Sequence, residues 1–164
     1  MKDISCIFIL IGIVILFYML QIYVFNTLTF FGVKANIMLT FCVVLAIWFK
    51  PSISIPFVFF IGIVSDLIFT FSIGKYLIAY LILTLVIIAV SSIYNKQNRG
   101  ATVLIVLIAT IFAEYIFGIY SLVKFGTLAN FFSVTFIGIK GAVINVILGV
   151  ILSNLLKGLA EKRN

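Results

Sequence analysis

The stretch "FFIGIVSDLIFTFSIGKYLIAYLI", residues 59–82, decides how the whole chain is read. It is apolar and long enough to enter a lipid bilayer, where a spanning helix needs about 20 residues. Yet Asp66 lies inside it, and an acid at mid-membrane depth costs about 2.5–3.5 kcal/mol on insertion scales. A residue that costly is expected to be held by protein and to serve structure or chemistry there.

The rest of the chain has the same character. Of 164 residues, 65% are hydrophobic and 9% charged, against about 25% charged in soluble domains, and the mean hydropathy is +1.42. The expected class is an all-α polytopic membrane protein, one transmembrane domain of six helices. The spans are expected at about 4–25, 35–49, 56–72, 76–94, 101–122 and 140–156. The first run is too long for a signal-peptide core and is read as an uncleaved span. Residues 26–36 form a turn-rich connection at the interface. Lys50-Pro51 ends the second span, because proline cannot continue the hydrogen-bond ladder. Pro56 is placed in the first turn of the third. Residues 95–100 are the most polar stretch and read as a loop. After Lys124, an interfacial piece to about Ile139 is preferred over one long helix, so that Lys140 lies near a helix end and can snorkel.

Several chemistries are excluded. With no His, imidazole bases and His-containing metal sites are absent. Cys6 and Cys42 lie in or at spans, without metal-ligand spacing, and read as small apolar residues. No phosphate-binding glycine loop occurs. No cofactor is expected. Nor is a nucleic-acid partner, since the basic residues are scattered among short loops and form no patch.

Those loop charges set the orientation. Lys2, Lys50, Lys96, Arg99, Lys157, Lys162 and Arg163 fall on one side of a six-span chain, and Lys34, Lys75, Lys124 and Lys140 on the other. Seven against four places both termini in the cytoplasm. The +7 net charge then reflects topology and attraction to anionic lipid heads. Trp48 and Tyr94 fall near the cytoplasmic boundary, as aromatic belts do.

Polar and small residues recur at a spacing of four. Gly62, Asp66, Thr70 and Gly74 do so in the third span, Thr110, Glu114 and Gly118 in the fifth, and Gly141, Asn145, Gly149 and Ser153 in the sixth. Residues four apart share a helix face; small ones let backbones approach, and polar ones bond across the contact. Spans three, five and six are therefore expected around a shared seam. The first span, with Tyr18 and Gln21 near its outer end, is expected to face lipid or a partner's helix. Two readings compete for Asp66 and Glu114. Either they are inward-facing packing residues bonded to Asn145, Thr70, Thr110 or a tyrosine, or they line a proton or cation pathway. A relay normally shows more acids or a basic partner at matching depth, so the first is preferred. It expects Asp66→Asn to be mild and Asp66→Leu damaging.

The stretch "GIVSDLIFTFSIGKYLIAYLI" resembles the signature of the MreD family, small membrane subunits of the bacterial rod-shape system. Gly62, Asp66 and Gly74 match it in kind and order, and Asn145 matches an Asn early in that family's last span; the resemblance covers about residues 33–156. Where the family commonly has Pro-Asp at the start of the second span, this chain has Ala35-Asn36, which keeps a polar cap but loses the charge and the proline turn. The resemblance implies a non-enzymatic scaffold of peptidoglycan elongation in the bacterial cytoplasmic membrane. Its partners would be an MreC-like single-span protein, a RodA-like glycosyltransferase with its transpeptidase, and an MreB-like filament. It also implies a bundle like that of the S-components of energy-coupling-factor vitamin transporters, which is the alternative reading. Against that alternative, no Ala-x-x-x-Ala docking face occurs in residues 4–25. A small proton-coupled carrier using Asp66 and Glu114 is the third.

Overall fold

The structure is a computed structural model that describes residues 2–30, 32–70, 74–90, 99–126 and 131–161. Six α-helices are described: α1 (Lys2–Leu20), α2 (Ile37–Trp48), α3 (Pro51–Phe69), α4 (Lys75–Val90), α5 (Arg99–Phe125) and α6 (Phe131–Glu161). Helices at Ile7–Phe25, Pro51–Phe69, Gly100–Lys124 and Ser133–Ala160 are long and apolar enough to cross a membrane, whereas Ile37–Trp48 and Lys75–Val90 are shorter.

Helix α1 continues into a five-residue π-helical turn, Gln21–Phe25. The following connection folds into a two-residue hairpin, β1 (Thr29–Phe30) against β2 (Val33–Lys34), antiparallel. Asn36 then caps α2, its side chain accepting from the Leu39 N–H at 2.9 Å. Helix α2 stops where Phe49 and Lys50 turn extended. Proline disfavours helical geometry in the residue before it, and Pro51 is itself the first residue of α3. The third helix therefore starts at Pro51, and Pro56 lies inside it instead of opening it.

The core is built around α2. Every residue from Ile37 to Ile47 is buried. Helices α3 and α4 pack as one hairpin and α5 and α6 as another; α2 touches α4, α5 and α6, and α4 closes against α5. The seam expected among spans three, five and six is corrected accordingly. Helices α5 and α6 are close neighbours, but the partner of α3 is α4. Helix α1 buries Leu10, Phe17 and Tyr18 and leaves Phe8, Ile15 and Leu16 exposed.

Two further boundaries differ from the sequence reading. Helix α5 begins at Arg99, so Arg99 and Gly100 belong to helix, while residues 95–98 and Tyr94 lie outside the described residues. The last segment is one continuous helix, with no break before Lys140. Lys140 lies exposed, ten residues into that helix and not at its end.

Candidate functional site

Among the described residues, Asp66 makes no carboxylate hydrogen bond to the side chain of Asn145, Thr110 or a tyrosine. It is fully buried and its carboxylate closes the turn between α3 and α4. One oxygen accepts from the Gly74 N–H at 2.7 Å and the Leu77 N–H at 3.2 Å; the other accepts from the Tyr76 N–H at 2.7 Å. These are among the first N–H groups of α4, which have no partner within their own helix. The residue at the N-cap position is Gly74, with φ +131° and no side chain to cap with. Asp66 supplies the missing cap from the preceding helix. Charge-assisted bonds and the positive end of a helix dipole offset the cost of burying it. Thr70 bonds the Asp66 main chain, its hydroxyl donating to the carbonyl at 2.8 Å. Gly62, one turn earlier, lets α3 approach α4 closely: a Cβ there would lie 2.7 Å from the Leu77 Cα.

A second set of buried polar groups joins the start of α2 to its neighbours. Asn145 of α6 accepts from the Asn36 N–H at 3.0 Å and donates to the Thr110 hydroxyl at 3.3 Å. The Tyr80 hydroxyl donates to Asn36 Oδ1 at 3.2 Å. Gln21 brackets Asn36 from the other side, donating to the Ala35 carbonyl at 3.1 Å and accepting from the Ile37 N–H at 2.9 Å. Near the same end, the Tyr18 hydroxyl donates to the Ile61 carbonyl at 2.6 Å and lies 3.0 Å from Ser65 Oγ. The sequence reading placed Tyr18 and Gln21 on a lipid- or partner-facing helix; the structure uses both as clamps on α2 and α3. Their signal was present as polar side chains within an apolar run.

The stripe on α6 is buried throughout. Gly149 packs tightest: a Cβ there would lie 2.9 Å from Val106 Cγ2 and 3.4 Å from Thr40 Cγ2. Gly141 packs at ordinary distance, with 3.6 Å to Val33 Cγ1. Ser153 accepts from the Trp48 indole N–H at 2.8 Å at the opposite end of the bundle, where Lys157 lies over the Trp48 ring.

Between the two junctions opens a cavity of about 400 Å³. Lys34, Asn36, Lys75, Tyr76, Glu114 and Phe117 are among the residues that line it. Lys75, expected only as a helix-end charge, lies with its ammonium 5.3 Å from the Tyr76 ring centre and 5.0 Å from that of Phe117. Glu114 is thus brought to the cavity, while Asp66 is enclosed beneath the start of α4. The two acids belong to separate environments. Among the described residues, no group of three or more His, Cys, Asp or Glu side chains could hold a metal ion.

Compared with protein-family models, curated proteins and solved structures, the chain matches none.

Proposed function

We propose that this chain is a non-enzymatic integral membrane scaffold of the bacterial cell-shape and peptidoglycan-elongation machinery, crossing the cytoplasmic membrane six times with both termini inside. The two short helices α2 and α4 complete the six crossings within a bundle resembling an S-component. The observation that carries the reading is the use made of the polar residues on which the MreD-like resemblance rests. Asp66 caps α4, Gly62 admits Leu77, and Asn145 ties α6 to α2 and α5. Those residues build helix junctions, as a scaffold requires. Its partners would be an MreC-like single-span protein and a RodA-like glycosyltransferase with its transpeptidase, bound through helix packing, alongside an MreB-like filament.

The polar cavity favours a second reading, the ligand-binding S-component of an energy-coupling-factor transporter. A pull-down of the tagged protein in mild detergent, read by mass spectrometry, separates the two. Recovery of MreC-like and RodA-like proteins is expected. Recovery of an ATPase pair with its coupling subunit would replace the scaffold with the transporter.

A further inference from the structure

Glu114 is a polar group that the helix junctions leave unused. It sits in the middle of an apolar helix, where a carboxylate is costly, and has no hydrogen-bond partner among the described residues. Asp66, equally costly, has three. Glu114 instead lines the cavity together with Lys75, with no ion pair between the two. The ammonium of Lys75 is held over the two aromatic rings, a cation–π arrangement that keeps it at the cavity wall. Lys34 adds a second positive charge from the hairpin.

Asn36 contributes a donor. Its Oδ1 is occupied by the Leu39 N–H and the Tyr80 hydroxyl, and its Nδ2 has no partner among the described residues. The cavity therefore presents two ammonium groups and an amide donor together with one carboxylate and aromatic faces. A purely anionic ligand would meet Glu114; a purely cationic one would meet both lysines. A ligand carrying both charges satisfies every group at once. The volume, about 400 Å³, falls in the range of about 300–1,000 Å³ typical of small-molecule sites.

We propose that this cavity binds a small zwitterion, its phosphate or carboxylate held by Lys34, Lys75 and Asn36 Nδ2 and its protonated amine by Glu114. Two sources carry that chemistry: the headgroup of an aminophospholipid, or a free amino-phosphate or amino-acid metabolite. The inference rests on the cavity alone and holds under either reading of the protein's function, so failure of the pull-down leaves it standing.

The test is native mass spectrometry of the purified full chain with phosphatidylethanolamine and phosphatidylglycerol of matched acyl chains, alone and with free phosphoethanolamine as competitor. Wild type is expected to retain phosphatidylethanolamine over phosphatidylglycerol by about fivefold or more, as one added charge pair allows. Glu114→Gln should abolish that preference, and Lys75→Gln should weaken both lipids. Displacement of the lipid by phosphoethanolamine, or binding of phosphoethanolamine alone, would support the site and assign a free metabolite as its source. Equal retention of the two lipids by wild type, with no phosphoethanolamine bound, would overturn the proposal. That comparison needs no variant to fold.

Discussion

At the scale of the residue, the decisive contact is made by Asp66. Its two oxygens accept from three peptide N–H groups, so each hydrogen-bond partner of the carboxylate among the described residues is a donor. An asparagine offers one acceptor oxygen and replaces the other with an NH₂ donor. If its oxygen serves Gly74 and Leu77, the NH₂ meets the Tyr76 N–H. Asp66→Asn is therefore not the mild change that a simple hydrogen-bond role suggests. Losing one charge-assisted bond and facing donor to donor should cost about 2 kcal/mol, and Asp66→Leu, which strands all three donors, about 3–4 kcal/mol. Thermal unfolding in detergent gives the ordering: wild type, then Asn, then Leu. An Asn variant that melts with wild type would show that the cap needs only one oxygen. The sequence could flag Asp66 as a residue needing a partner, but its partners are backbone groups eight to eleven positions later. Backbone donors leave no mark in side-chain spacing, whereas distant polar side chains do.

At the scale of the element, the glycines differ by what lies opposite them. Gly12 has nothing within 4 Å of an added Cβ, whereas at Gly149 that atom would lie 2.9 Å from a Val106 methyl and at Gly62 it would lie 2.7 Å from the Leu77 main chain. Alanine at Gly12 should be neutral or gain up to about 1 kcal/mol of helix propensity. At Gly149 and Gly62 overpacking should cost about 1–3 kcal/mol. The two tight sites separate on a second change: Val106→Ala should restore Gly149→Ala, while no trimming of the Leu77 side chain can move its Cα and restore Gly62→Ala. Cys42 is buried, so a thiol-reactive dye reports each unfolding curve once Cys6 is replaced by serine. Restoration of both variants by side-chain trimming would mean that α3 and α4 are not in backbone contact. The α6 stripe was legible because small residues at a helical period mark one face. The central place of α2 was not. A helix apolar on every side carries no face to read, and lipid and protein interior ask the same of its composition. Lys140 is a related case, since one charge in the sequence does not tell the end of a helix from a position within a continuous one.

At the scale of the whole molecule, the bundle has two chemically distinct ends. The cavity end gathers Lys34 and Lys75; the other joins Trp48 to Ser153 and Lys157. The helix that links them at the centre, α2, has 12 residues, about 18 Å of rise against a hydrocarbon core about 30 Å thick. Under the proposed six crossings its burial would offset the shortfall, because a helix wrapped by longer neighbours need not match the lipid itself. The longer α5 and α6, with 27 and 31 residues, are long enough to meet the bilayer in its place. Single cysteines at positions 34, 50, 75 and 157, in a chain whose Cys6 and Cys42 have been replaced, test this arrangement with a membrane-impermeant maleimide. On intact spheroplasts, positions 34 and 75 should label, while positions 50 and 157 should label only after the membrane is opened. Position 34 precedes α2 and position 50 follows it, so this pair asks whether the short helix crosses at all. Equal labelling of the two would place both ends of α2 on one side and remove the six-crossing bundle. The opposite pattern, with positions 50 and 157 labelled first, would keep the bundle and invert it. Lys34 and Lys75 would then face the cytoplasm, and the cavity between them would meet the inner leaflet.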